Sequence, residues 1–408
     1  MRVPFLDLAA QLETTRPDIE RAVLDVVASG RYVGGPVLES FERAMADYIG
    51  VDHAIGVSSG TDALLVSLMA LDVGPGDLVV TTPYSFFATA GTVARLGAAP
   101  VFVDIDPRTF NMDPARLADW FEREVERRPR VKAIVPVHLF GQCADMAPIL
   151  AVAAAYGIPV VEDAAQALGA RYPVSGDVGT SGGTGGSSIR GGTSGSQVSR
   201  GVSHRDRPAG TMGTLACFSF YPTKNLGAMG DAGLVVTGDS HLAERVRRLR
   251  NHGGHDAYQH PEVGGNFRLD TLQAAILAAK LPLLDGWHAR RRKRAAYYEE
   301  HLAAPGLELP APVWGRDHHT YHQYVIRVAD QRDALRQHLA VRRIDTMIYY
   351  PVPLHRQPCF HCLDHPAGAF PNSEDAALRS LALPIYPELT PAMQDRVIEE
   401  TNAFFRAR

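Results

Sequence analysis

Hydrophobic positions along the chain follow two alternating periods over residues 15–240. Short apolar runs at Ala54–Val57, Leu78–Thr81, Pro100–Val103, Lys132–Val137, Ile158–Val161, Leu215–Phe220 and Leu234–Thr237 predict seven strands. Helix-period stretches at Arg16–Ala28, Asp62–Leu71, Phe86–Arg95, Pro114–Glu126 and Met146–Tyr156 precede or separate several of them. Ser29-Gly30 supplies a stop for the first helix, and Gly74-Pro75-Gly76 and Gly97–Pro100 fall at connections. Strand–helix alternation of this kind predicts an α/β fold, a mainly parallel seven-stranded sheet covered on both faces.

Beyond residue 240 the pattern changes. A helical stretch over Leu269–Leu302 is followed by a strand at Tyr321–Arg327, a helix at Asp333–Ala340, a Pro- and His-rich segment and a helix near Pro391–Phe405. This reads as a smaller α+β domain, giving a large domain over 1–249 and a second over 250–408. The stretch 174–206 stands apart, with 10 Gly and 8 Ser among its 33 residues. It has too little apolar surface to offset the entropy of ordering and reads as a flexible insertion.

Composition narrows the class. The chain is 46% hydrophobic and 21% charged, with a formal charge of −4, which disfavours a nucleic-acid reader carried by bulk positive charge. No apolar stretch reaches the ~18–20 residues of a membrane span, Met146–Val161 being interrupted by Pro148, Gly157 and Pro159, and Asp7 interrupts the start where a secretory signal needs apolar residues. Four cysteines do not make a disulfide scaffold. The expectation is a cytoplasmic enzyme. Only four of 41 basic residues are lysines (Lys132, Lys224, Lys280, Lys293), so each lysine is informative, since arginine cannot form an imine.

Candidate chemistry gathers at predicted strand ends. Lys224, in FYPTKNLGAMGDAG, follows the run Leu215–Phe220, where burial would lower its pKa as an imine-forming amine requires. An exposed loop lysine is the plainer reading. Asp163, in PVVEDAAQALGA, ends a predicted parallel strand, the edge where α/β sheets bind ligands, and an acid there can keep a heterocyclic nitrogen protonated. Taken alone, it reads equally well as a helix cap. Glu162 points to the other side of the strand and is the weaker candidate. Ser58-Ser59-Gly60-Thr61 precedes a helix whose free N–H groups suit a phosphate, although the same residues are an ordinary N-cap signal. Phe86 follows another strand end and can stack on an aromatic ring or fill the core.

With these strings in view, the chain resembles the DegT/DnrJ/StrS sugar aminotransferases, fold-type I enzymes that use pyridoxal 5'-phosphate. The resemblance is carried by SSGTDAL, SFFATA, EDAAQALGA and FSFYPTKNLGAMGDAG, and continues through GGNFRLDTLQAAIL, YYPVPLHRQP and LALPIYPELT. It implies that Lys224 bonds the cofactor, Asp163 pairs with its ring nitrogen, Gln166 contacts its phenolic oxygen and Phe86 stacks on its ring. Gly60, Thr61 and Ser219 would hold the phosphate, joined by Asn266 from a partner subunit, so a homodimer with shared sites is implied. A nucleotide-linked keto sugar would accept the amino group, with glutamate as donor. Arg31, Tyr350 and His355 would contact the substrate. A lysine at 224, where dehydrating members carry histidine, favours transamination. Elimination on the same cofactor, or a non-catalytic regulator with the same fold, are the alternatives. The 174–206 insertion departs from the family pattern, which passes directly from a GARY-like string (Gly169–Tyr172) to Arg207–Thr211.

Three features point elsewhere. Cys359-Phe-His-Cys362 with His355, His361 and His365 invites a zinc reading but lacks a second ligand pair. Arg290–Arg294 reads as a solvated helix face. His138, at a strand end, is either a cofactor neighbour or a core histidine.

Overall fold

The computed structural model describes residues 1–173, 206–254 and 258–406; the 174–206 insertion, apart from Asp206, lies outside them. Two helices open the chain, α1 (Leu8–Ser29) and α2 (Pro36–Ile49), followed by β1 (His53–Val57), α3 (Gly60–Ala70) and β2 (Leu78–Thr81). Next come α4 (Ala88–Arg95), β3 (Ala99–Phe102), α5 (Pro114–Arg123), β4 (Val131–Ile134), α6 (Met146–Tyr156) and β5 (Val161–Asp163). A short pair, β6 (Arg171–Tyr172) and β7 (Arg207–Pro208), precedes β8 (Leu215–Ser219), β9 (Gly233–Thr237) and α7 (Ser240–Leu249). The remainder is α8 (Thr271–Lys280), α9 (Leu284–His301), β10 (Leu307–Glu308), β11 (Tyr324–Val328), α10 (Arg332–Val341), α11 (Pro371–Arg379), β12 (Ser380–Leu383) and α12 (Pro391–Arg406).

Four strands in the order β1-β9-β8-β5 and three in the order β3-β2-β4 form two ladders. Parallel bridges Ile134↔Val160 and Val137↔Asp163 join β4 to β5, so the seven predicted strands lie side by side with an interrupted central seam. Pro136 causes the interruption: it has no N–H to give at the position where the shared register requires a donor. Among these seven strands only β9 runs antiparallel to its neighbours.

Alternate residues along each strand enter opposite cores. Val79, Cys217 and Val235 pack with Leu64, Leu68 and Val246 of α3 and α7, whereas Leu78, Val80, Phe218 and Val236 pack with Phe41, Phe121 and Ile149 of α2, α5 and α6. Burial on both faces is why the runs read as continuously apolar. A further core joins Tyr298, Ile326, Leu339, Leu381 and Val397 around the antiparallel β10-β11-β12 sheet, and Val3 belongs to it. Leu277 and Trp287, from α8 and α9, pack in the core of Phe41, Phe121 and Ile149 instead.

Several elements differ from expectation. The helix expected over Leu269–Leu302 breaks at the 3-10 turn Leu281–Leu283, because Pro282 cannot donate within an α-helix. The first helix begins at Leu8, capped by the Asp7 carboxylate on Ala10 N–H at 2.9 Å, and ends as expected at left-handed Gly30. Arg291 corrects the reading of Arg290–Arg294 as solvated: it is buried and donates to the carbonyls of Tyr321, His322 and Ile385.

Candidate active site

The C-terminal ends of β1, β2, β5 and β8 open on one edge of the sheet, where the first βα turns carry polar residues. Asp163 ends β5 and is buried. Its Oδ2 accepts the Thr89 hydroxyl at 2.7 Å, and Ser85 Oγ lies 2.8 Å from that hydroxyl. Its Oδ1 accepts the Ala165 N–H at 3.2 Å. Burial raises its pKa, opposed by these hydrogen bonds and by the Lys224 charge.

Lys224 closes a turn after β8 in which its N–H donates to Tyr221 O at 2.8 Å, with Pro222 fixing the second position. Burial disfavours its ammonium and pulls the pKa down to about 8, while the Asp163 carboxylate works to raise it. The neighbouring Asn225 Oδ1 lies 3.1 Å from His322 Nδ1, and burial, then the Lys224 charge, drives that imidazole well below its ordinary pKa. The lysine therefore has a neutral neighbour.

The opening of α3 provides a cradle. Ser59 is its N-cap, accepting from Asp62 N–H at 3.0 Å, so the ordinary cap reading holds for Ser59. Gly60 and Thr61 begin the first turn, where N–H groups lack helical acceptors and the helix dipole is positive. Glycine at 60 is required: a Cβ there would lie 2.6 Å from Ser219 Cβ, so α3 and the end of β8 touch at this point. Phe86 stands 57% exposed at the entry to α4.

Other predicted residues are placed as follows. Gln166 Oε1 accepts from Phe140 N–H at 2.8 Å and its Nε2 donates to the Tyr350 hydroxyl at 2.9 Å, which brings Tyr350 to the β5 end. His355 is buried, with Nε2 3.1 Å from Glu374 Oε1, and the Leu354 N–H beside it donates to Pro83 O at 2.7 Å, tying this segment to the loop after β2. Asn266 and Arg31 are exposed on the surface, and among the described residues no hydrogen bond brings either to Lys224.

Glu162 faces away, as its strand position predicts. Its carboxylate accepts from Gly210, Met212 and Gly213 N–H at 2.8, 2.7 and 2.5 Å, and from His138 Nε2 at 2.8 Å. Burial works to raise its pKa, but His138 and these amides outweigh that and hold it below the usual carboxylate range. His138 Nδ1 accepts from Ala144 N–H at 3.0 Å, leaving Nε2 as the donor, so His138 is a core histidine.

Thr89, Asn225 and His322 went unread in the sequence. Thr89 did lie one helical turn beyond Ser85 in SFFATA, the spacing that lets the two hydroxyls meet.

These groups fit pyridoxal phosphate. A lowered amine, a buried carboxylate with acceptor capacity left beyond Thr89 and Ala165 and a helix opening held clear of side chain by Gly60 match its aldehyde, ring nitrogen and phosphate. Fold and site residues together define the class as a pyridoxal-phosphate enzyme of the α/β, fold-type I architecture. The chain belongs to the DegT/DnrJ/EryC1/StrS aminotransferase family, whose profile matches residues 13–402, and it is a pyridoxal-phosphate-dependent sugar transaminase. It is 44% identical over 409 residues to a Geobacillus stearothermophilus protein named "pleiotropic regulatory protein", covering 100% of this chain and 99% of that one. A dTDP-3-amino-3,4,6-trideoxy-alpha-D-glucose transaminase of Streptomyces venezuelae is 41% identical, with 98% and 95% covered. The crystal structure of S. venezuelae DesV with a ketimine intermediate superposes with a TM-score of 0.86 at 41% identity, covering 99% of this chain and 98% of that one.

Proposed function

We propose that this chain transfers an amino group from glutamate to a nucleotide-linked keto sugar, working as a homodimer. The observation that carries the reading is a Lys224 amine lowered by burial within electrostatic reach of buried Asp163 at the sheet's ligand edge. Bound there, pyridoxal phosphate supplies an electron sink for the carbon that loses its proton. Lys224 Nζ, poised near neutrality, takes the proton from the donor's α-carbon and returns one on the sugar half of the cycle. Asp163, oriented by Thr89 and Ala165, holds the ring nitrogen protonated. Gly60, Thr61 and Ser219 hold the phosphate, Gln166 the phenolic oxygen and Phe86 the ring face. Arg31, Tyr350 and His355 meet the sugar nucleotide. Nucleotide-linked sugars, a 3-amino sugar in one case and 3-dehydro or 3-oxo sugars in two others, are what related transaminases are named for.

In this reading residues 1–249 form the cofactor domain and 250–408 the smaller one, with Leu277 and Trp287 packed back against the former. Exposed Asn266 reaches a partner's phosphate. The homodimer is supported by exposed Tyr32 and Met229, both tied to α8, through Thr271 N–H on Tyr32 O and Met229 N–H on Gln273 Oε1. The regulatory name of one relative does not point to an eroded site here, since Lys224, Asp163 and Gly60 all stand in place.

The test is the visible spectrum of the purified holoenzyme. Glutamate bleaches the yellow wild type, whereas Lys224→Ala neither bleaches nor turns over. A yellow wild type indifferent to glutamate overturns the donor, and full activity in Lys224→Ala overturns the mechanism. Sedimentation reports the dimer independently.

A further inference from the structure

We propose that Cys359 and Cys362 form a reversible dithiol–disulfide couple whose state is transmitted to α4. Both cysteines are exposed and lie on one 3-10 turn, Pro358–Leu363. Residues i and i+3 eclipse one another on a 3-10 helix, and three steps of ~2.0 Å place their Cα atoms ~6 Å apart, inside the range a disulfide spans. Cys362 Sγ already points back along the turn, 3.9 Å from Cys359 O. Cys143 and Cys217, by contrast, are buried. Among the described residues no group of three or more His, Cys, Asp or Glu is arranged to hold a metal, so no such cluster competes for the two thiols.

Between them sits Phe360, buried against Phe87 at 5.8 Å and edge-on to Phe102 at 6.1 Å, with Leu354, Phe370 and Ala90 in the same cluster. Phe87 is the residue preceding α4 and is itself 46% exposed, and the Phe360 ring is packed against it. The helix it leads carries Thr89, whose hydroxyl is bonded to Asp163. Bonding the sulfurs at ~2.05 Å tightens the turn and draws Phe360 from its place, and a close-packed cluster answers such a move by losing contacts.

The chemistry balances with a low-molecular-mass disulfide such as oxidised glutathione as oxidant. One thiolate attacks its sulfur and releases one reduced thiol, leaving a mixed disulfide on the protein. The second cysteine thiolate then displaces the other glutathione, so two cysteines are oxidised, one disulfide is reduced and two protons leave with the products. An excess of reduced glutathione reverses both steps.

The experiment equilibrates the holoenzyme in oxidised and reduced glutathione, alkylates free thiols and maps peptides by mass, with hydrogen exchange followed over residues 86–95. The expected result is an internal Cys359–Cys362 disulfide with Cys143 and Cys217 unmodified, and several-fold faster exchange in Ala88–Arg95 that reverts on reduction. Cys359→Ser and Cys362→Ser each stop at a mixed disulfide and leave α4 exchange as in the reduced wild type. Two independent mixed disulfides in the wild type, no reaction, or an internal disulfide with α4 unchanged would each overturn the proposal. None of these readouts depends on the donor or sugar, so the test is separate from that of the transamination reading.

Discussion

Asp163 and Lys224 act on each other through opposite shifts: burial penalises both charges, and each charge relieves the other. The carboxylate raises the lysine pKa, so Asp163→Asn in the cofactor-free protein should move the Lys224 midpoint below about 8 and leave more neutral amine at lower pH. The pH dependence of Lys224 acylation, followed by peptide mass, checks this. A midpoint that stays put or rises means the two charges do not communicate. At this scale the sequence was readable where a residue type is rare or closes an apolar run, as Lys224 and Asp163 do. It was unreadable where a side chain gains its meaning from a partner far along the chain. Thr89 is 74 positions from Asp163, and His322 is 97 from Asn225.

Elements were legible to the degree that one local rule decided them. The α6 helix has its expected bounds, Met146–Tyr156, because left-handed Gly157 stops it. The α2 helix carries Leu38, Phe41, Met45 and Ile49 on one buried face behind Pro36 at its start, a helical period the sequence reading passed over. The strand expected at Ile158–Val161 is displaced to Val161–Asp163, since Pro159 has no N–H for a ladder. Glu162 on that strand clasps the Gly210–Gly213 loop with a charge that local pattern does not announce. Glu162→Gln places an NH2 group against N–H donors on at least one side, so a loss of about 3–5 kcal/mol is expected in urea unfolding at neutral pH. Because the folded-state pKa lies below the ordinary 4.5, the charge stabilises above that value, and its contribution fades as pH falls through the lower one. The gap between variant and wild type should therefore narrow in acid, and a constant gap would rule out the charge as its source.

Taken whole, the molecule ties distant segments together. Tyr84 accepts from Tyr350 N–H at 3.0 Å and meets Ser380 Oγ at 2.8 Å, linking the loop after β2 to β12 and the Tyr349–Tyr350 segment. No helix among the described residues is long and apolar enough to cross a membrane. At the foot of the Gly/Ser-rich stretch the β6–β7 pair closes, Arg171 opposite Pro208 and Tyr172 opposite Arg207. The Tyr172 hydroxyl donates to Asp145 at 2.6 Å, its ring packs on Trp314 at 4.9 Å, and Glu162 grips the strand's continuation. Replacing 174–205 with a two-residue Asn-Gly turn should leave transamination intact. It should raise stability by roughly 1–2 kcal/mol, the logarithmic saving of a shorter closure, as read in thermal unfolding. A loss of stability would show that the excised residues brace the sheet. The paired foot separates what the enzyme must be from what the chain is free to carry: any peptide whose ends can rest side by side there, an epitope or a fluorescent domain included, can be written into this position while the catalytic edge across the strand keeps its shape.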